Sequence, residues 1–276
     1  MVQYLFVLIG VLFSSAVFSQ VDDNLNIALS GKIKSVRETI YSLPAGSETA
    51  DRSILSDELH IYNTKGYKTK TISYRNDTLF SYTDYSLQGD TILLESKEYN
   101  SDNSLYLSIV YTSDENGFIT NAQYFRDYQK SFDDERKKID VEYDKYYQRL
   151  FTSIDYKNDY KGYVLSSVYS TDKGSLYCKY LHKYDYKYNR VETKYYNNRG
   201  KLSWRKKIKY NQDGFILESK LYESNRIARK SEFSYSTDSS GNWIERTEKR
   251  QLYDNFFAYN LNDDTVVTIR RIEYYE

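Results

Sequence analysis

One short phrase recurs along this chain. It reads Tyr-Asn-Thr-Lys-Gly at 62–66, Tyr-Ser-Leu-Gln-Gly at 85–89, Tyr-Asn-Asn-Arg-Gly at 196–200 and Tyr-Asn-Gln-Asp-Gly at 210–214. Each copy is an aromatic residue, a few polar turn formers and a glycine, followed by a run in which polar and apolar residues alternate. Alternation with period two belongs to a strand with one buried face, and the glycine to a turn that needs positive φ. The phrase therefore marks β-hairpins. Turn residues fall at Gly174, Asn189, Gly200, Gly214, Asn225 and Gly241, in steps of 15, 11, 14, 11 and 16 residues, so two turns make a period of about 25 residues. A looser series runs through Gly66, Gly89, Asn103, Gly117 and Gly162. The expected fold is all-β: a single elongated, twisted antiparallel meander of β-hairpin repeats, clearest over 59–250 and filling 20–276 as one domain.

Residues 1–19 have the form of a secretory signal peptide. Leu5 to Phe13 is apolar apart from Gly10, and Val17-Phe18-Ser19 supplies small residues at the positions a peptidase reads before Gln20. The apolar stretch is well short of the ~20 residues that span a bilayer. No Cys follows the site, which argues against a lipid anchor. Of the 257 residues after Ser19, only 55 are Val, Ile, Leu or Phe, and 32 tyrosines make up the deficit. Tyrosine buries a broad ring and still needs a partner for its hydroxyl, which suits a sheet with little fully dry interior. The single proline, Pro44, is consistent with a chain that is mostly strand. Cys178 is alone, so no internal disulfide can form; export without disulfides fits a secreted or periplasmic bacterial protein. Its neighbours Leu176 and Tyr180 share its strand face, the setting of a buried, inert thiol.

The hairpin at Gly214 can be written out as a four-residue loop, Asn211 to Gly214. Tyr210 then faces Phe215, Ile208 faces Leu217, Trp204 faces Leu221, and Lys207 meets Glu218 on the opposite side. A loop at 197–200 puts Tyr195 opposite Leu202 and Thr193 opposite Trp204. After Asn225 the parity of Ile227, Phe233 and Tyr235 changes, which calls for a bulge or for cover on both faces. The charged stretch 130–138 reads as a loop or a single helical turn.

The tyrosine-turn-glycine phrase resembles the YD (RHS-like) repeats and the MORN-variant repeats of secreted bacterial proteins, of the kind common in Bacteroidota. Residues 241–248 and 271–275 look like a closing strand pair of that group. The resemblance covers about 59–276. It implies a hairpin-repeat architecture and a binding role, and leaves open whether the sheet closes on itself.

No residue constellation carries recognisable chemistry. His60 and His182 are too far apart in sequence to form an ordinary metal motif, and no phosphate-cradling loop or nucleophile elbow is present. No catalytic, metal or cofactor residues are assigned, and the chain is expected not to be an enzyme. Carboxylate pairs occur at Asp133-Asp134 and Asp263-Asp264. Net charge is zero but segregated: 76–159 holds 17 acids and 9 bases, and 190–230 holds 12 bases and 4 acids. Lys201, Arg205, Lys207 and Lys209 fall on one strand face and form a candidate anion-binding strip. The leading expectation is an exported, non-enzymatic binding or scaffold protein of the bacterial envelope, engaging an acidic protein, a polysaccharide or a surface. The alternative is a carbohydrate-binding or carbohydrate-active protein using exposed tyrosines and a carboxylate pair. Nucleic acid is not an expected partner. N-terminal sequencing of envelope or medium material should begin at or close to Gln20; an intact Met1 in a membrane fraction would mean an anchor.

Overall fold

The turns set the architecture. In 63–67 the Asn63 side-chain oxygen accepts N–H bonds from Lys65 (3.0 Å) and Tyr67 (2.9 Å). Its backbone carbonyl accepts from Gly66 at 2.9 Å, and its own N–H donates to the Tyr67 carbonyl at 2.8 Å. The two side-chain bonds recur at Asp114, Asp159, Asp185, Asn197 and Asp238. The fourth residue of each such loop is left-handed: Gly66, Gly117, Gly162, Gly200 and Gly241, and Tyr188 in the loop at Asp185. A side chain that replaces a backbone acceptor, followed by one left-handed residue, is a type I turn closed by a bulge.

The computed structural model describes residues 31–43, 52–127, 148–253 and 260–276. They form β1 (Ile33–Leu43), β2 (Ser53–Tyr62), β3 (Lys68–Arg75), β4 (Thr78–Gln88), β5 (Ile92–Asn100), β6 (Leu105–Ser113), β7 (Ile119–Asp127) and β8 (Gln148–Asn158). There follow β9 (Val164–Thr171), β10 (Leu176–Tyr184), β11 (Arg190–Tyr196), β12 (Leu202–Tyr210), β13 (Ile216–Glu223), β14 (Arg226–Thr237), β15 (Trp243–Tyr253) and β16 (Asn260–Tyr274).

Each strand pairs antiparallel with its sequence neighbours, and β1 also pairs with β16, so the sheet closes into a 16-strand barrel. This corrects the expected single elongated meander: the hairpins follow one another in sequence order, but the sheet is a closed barrel. The seam runs from Ile33 opposite Tyr274 to Leu43 opposite Thr265. An open sheet would leave the N–H and C=O rows of both end strands unpaired, whereas closure satisfies them. The device that permits closure is the register shift found in each of the sixteen pairings. Bulges bend a sheet and increase its twist, which a flat ladder cannot do.

The two rims differ. One, the turn end, carries the short connections 63–67, 88–91, 114–118, 159–163, 185–189, 211–215 and 238–242. There the Tyr275 N–H also bonds to the Lys32 carbonyl at 2.7 Å. The other, the loop end, carries the links 44–51, 128–147 and 254–259 together with short turns such as 76–77 and 224–225. The signal segment 1–19, the stretch 130–138 and Asp133-Asp134 lie outside the described residues.

The buried face is the inner one. A row of inward residues can be followed from strand to strand: Val36, His60, Thr71, Thr83, Glu98, Leu107, Arg126. The apolar part of the interior is Leu107, Ile109, Tyr111, Ile119, Ala122, Tyr124 and Ile154, with a smaller group of Ile33, Val36 and Tyr62 across the seam. Two of the inward tyrosines bond neighbouring hydroxyls: Tyr111 to Ser96 (3.1 Å) and Tyr85 to Thr71 (3.3 Å). The outer face carries ion pairs on much of its circumference, including Arg37–Asp57 (2.6 Å), Lys70–Asp84 (3.0 Å), Lys97–Glu95 (2.8 Å) and Lys209–Glu218 (3.1 Å).

The bulges also correct the register expected at Gly214. The loop is five residues, closed by Asn211 N–H to the Phe215 carbonyl (2.8 Å), and Tyr210 pairs with Ile216. Ile208 therefore faces Ser219, Trp204 faces Glu223, and Lys207 faces Lys220, while Glu218 faces Lys209. In the preceding hairpin Tyr195 faces Trp204 and Thr193 faces Lys206. Trp204 does point inward, half-buried, and Lys207 outward and exposed, but Leu217 is 48% exposed beside the bulge. The parity change after Asn225 is a bulge between Leu221 and Tyr222.

Two glycines separate backbone strain from crowding. A Cβ on Gly66 meets nothing within 4 Å, so Gly66→Ala should cost about 1 kcal/mol from its positive φ alone. A Cβ on Gly162 would lie 2.4 Å from the Phe118 ring, so Gly162→Ala should cost clearly more in urea melts. Equal costs would contradict this packing.

Candidate ligand-binding interior

Alternation places every second residue of β11 to β16 inside. On β12 the inward set is Trp204, Lys206, Ile208 and Tyr210; on β15 it includes Arg246, Glu248, Arg250 and Leu252. Cross-strand pairing aligns these with Arg229, on the row Thr193, Lys206, Leu221, Arg229, Leu252. A neighbouring row reads Ile208, Ser219, Ser231, Arg250, Asp264, and a third Tyr235, Arg246, Thr268, Ile40. Arg190 of β11 and Arg270 of β16 are buried at the borders of this wall. Six cations thus face inward from five of six adjacent strands.

Their partners are few. Arg250 bonds to Glu248 at 3.0 Å and lies 3.8 Å from Asp264. Arg270 bonds to Glu38 at 2.7 Å, and Arg246 to the neutral Thr268 hydroxyl at 3.1 Å. Burial works against ionised Glu248, and Arg250 more than offsets it, holding that carboxyl below its ordinary range. Lys206 carries the clearest mark of the surplus. Burial, and then the charges of Arg229 and Arg190, bring its ammonium down to about 8, with Glu248 a lesser opposing influence. Its side chain is surrounded by protein yet keeps some accessible surface, as expected of a group lining an interior rather than packed into a dry core.

The interior is graded along the barrel axis. At the turn end Trp243 is 2% exposed, with the Arg270 guanidinium 3.3 Å from its ring centroid and Arg246 at 5.2 Å. Tyr235 meets Trp243 edge-on at 6.1 Å and stacks on Phe215 at 5.0 Å, so that end is filled. Toward the loop end the inward residues Trp204, Leu221, Arg229 and Leu252 are half-buried, and the first residues of the strands are exposed apolar groups: Ile54, Leu55, Leu79, Phe80, Leu176 and Leu202.

The other residues singled out from sequence are structural. His182 and His60 bond Thr193 and Thr71 through Nδ1 at 3.1 Å each, and burial pushes both imidazoles down, His182 to about 4. Cys178 is buried and its thiol pushed up to about 12. No group of three potential metal ligands occurs among the described residues. Of the outer strip, Arg205 and Lys209 reach Glu192 (3.9 Å) and Glu218 (3.1 Å), Lys207 is exposed, and Lys201 sits in the turn where its N–H bonds to Asn197. Sequence reasoning passed over Lys206, which lies within that strip but on the parity of Trp204 and Ile208. The signal was present: a charge on the apolar parity of a strand.

No protein-family model matches the chain, and no curated protein matches it. Solved structures do. A porin-like protein from Bacteroides uniformis superposes with a TM-score of 0.55 at 11% identity, covering 88% of this chain and 99% of that one. A porin-like protein from Bacteroides vulgatus (TM-score 0.32, 12% identity, 86% and 97% covered) and a LolA-superfamily protein from Nitrosomonas europaea (0.29, 7%, 95% and 95%) superpose too loosely to bear on this chain. The first match and the closed barrel replace the expected YD/RHS-like or MORN-variant repeat architecture.

The histidines give a pH signature. Their folded pKa values lie below the ordinary 6.5, so the unfolded chain binds protons first and stability should fall as pH drops from about 6.5 toward 4. Glu98, raised by burial, opposes this near its own range, and Asp57, held low by Arg37, adds its loss only at lower pH. A His60→Asn, His182→Asn double variant should flatten the melts between pH 6.5 and 5. An unchanged slope would assign the effect elsewhere.

Proposed function

We propose that the chain is a non-enzymatic binding protein of the bacterial envelope and that its site is the barrel interior, entered from the loop end. The observation that carries this reading is the gradient inside the barrel: packed with buried aromatics and arginines at the turn end, lined by half-buried side chains and rimmed by exposed apolar ones at the other. Ligand sites favour such mouths of β-barrels, with a few placed polar groups inside. The leader-like segment supports an envelope address, as does the fold shared with a Bacteroides protein described as porin-like.

The outer face argues against a lipid-embedded wall. The row Glu192, Lys207, Lys220, Lys230, Gln251 crosses the middle of β11 to β15. A Lys or Arg on a lipid-facing strand costs about 2–4 kcal/mol at the bilayer midplane. A second reading has its own observation: Tyr160 and Tyr186 are 81% and 87% exposed on adjacent turns, where Tyr163 stacks on Tyr188 at 4.7 Å and Lys161 lies 3.9 Å over Tyr188. That is a surface on which a sugar ring could stack.

Expression with the leader in a Gram-negative host should give protein released without detergent. Its native mass spectrum should show a small-molecule adduct lost on denaturation, and planar bilayers should show no conductance. A requirement for detergent together with stepwise ion currents would make the barrel a pore instead. Glycan binding abolished by Tyr160→Ala, Tyr186→Ala would favour the second reading.

A further inference from the structure

The wall formed by β11 to β16 concentrates charge in a way that folding does not explain. Lys206, Arg229, Arg250 and Arg270 point inward, and among the described residues the inward carboxylates of that wall below the rim are Glu248 and Asp264. Arg250 uses both of them, leaving its Nε without a bond, and Arg270 keeps Nη2 unbonded although Nε reaches Glu38. Replacing buried charges by apolar residues of similar size is commonly neutral or stabilising, so a surplus of inward cations is a standing cost that an anion would relieve. One row nearer the loop end than Lys206 lie inward, half-buried rings: Trp204 stacked on Tyr195 at 5.4 Å, with Tyr180 beside them, while Leu221 and Leu252 alternate with Lys206 and Arg229 in the cation row itself.

We propose that the interior binds an amphiphile with an anionic head, seated head-inward on Lys206, Arg229 and Arg250 and with its apolar tail along Trp204, Tyr195 and Tyr180 toward the loop-end rim. The proposal rests on the interior-binding reading above and gives it a ligand class. The head chemistry is that of a carboxylate or a phosphate monoester, either of which can accept several charge-assisted hydrogen bonds. The depressed ammonium of Lys206 is consistent with this site, since a bound anion would restore its charge. The outer strip plays no part in it: Arg205 and Lys209 already meet carboxylates on the water side.

Both tryptophans, Trp204 and Trp243, lie on this wall, so intrinsic fluorescence reports on it. The full exported chain, stripped of lipid, should be titrated with laurate, dodecyl phosphate, the neutral dodecyl maltoside and inorganic phosphate, all below micelle formation. Laurate and dodecyl phosphate should both change the fluorescence, and calorimetry should find them bound at least about tenfold tighter than the other two. A difference between the two that bind identifies the preferred head. Lys206→Met and Arg229→Met should each weaken laurate at least about tenfold without lowering Tm, and replacing Lys201, Arg205, Lys207 and Lys209 by Ser should leave it unchanged.

If dodecyl maltoside binds as well as laurate, the interior is a binding site but the cations do not select its ligand, and the proposal fails while the reading beneath it stands. If inorganic phosphate binds as tightly as dodecyl phosphate, the tail contributes nothing and the amphiphile is excluded. If no ligand enters and the outer-strip variant alone loses anion binding, both fall. The wild-type ligand series decides the matter even if a variant does not fold.

Discussion

Everything in this barrel depends on a turn that holds one residue more than a plain two-strand ribbon needs. The Asn or Asp side chain that opens the loop takes over the acceptor role of a backbone carbonyl, and a left-handed residue four positions in lets the chain return. The surplus residue becomes a bulge. One bulge turns a strand a little; those beside these turns, with the shifts that the remaining pairings and the seam carry of their own, bring β16 round to β1. The hydrogen bonds gained along that seam are available only when curvature has accumulated over the whole sheet, so closure is cooperative although its cause is local.

Closure then defines an inside and an outside that differ in electrostatic logic. Outside, charges alternate and pair in water, where each exposed pair is worth little and solubility is the main return. Inside, the same alternation carries Lys206, Arg229, Arg246 and Arg250 into a space with few carboxylates, and a dielectric lower than water makes their mutual repulsion felt, most clearly at Lys206. The sheet stays stable because the opposite wall supplies the core. Leu107, Ile109, Tyr124 and Ile154 are buried together, and the hydroxyls of Tyr111 and Tyr85 find partners in Ser96 and Thr71. The chain thus divides its interior between a wall that holds the fold and a wall charged for binding.

Trp243 ties the two together. Its ring lies under the Arg270 guanidinium, Arg270 bonds to Glu38 on β1, and Arg246 lies alongside. With Tyr235 and Phe215, Trp243 fills the turn end, and from the strand next to the seam partner β16 it covers two of the interior cations.

Strand, turn and the sidedness of most strands were fixed locally and could be read from the chain. Period-two alternation around Trp204, Ile208 and Tyr210 identifies an inward parity whatever that strand faces, and Gly200, Gly214 and Gly241 mark left-handed positions because backbone sterics are the same in any fold. The register across the Gly214 turn was not legible. Four- and five-residue readings of Asn211 to Phe215 share one sequence, and the choice is made by hydrogen bonds to the Asn211 side chain and by the bulge that follows. Whether the sheet stays open or closes was decided by summed curvature, a property of sixteen pairings that no single repeat contains. The enclosure of the site follows from closure. Lys206, Arg229, Arg246 and Arg250 share one face of the consecutive strands β12 to β15 through local pairing, and closure at the β1–β16 seam is what turns that face into an interior wall.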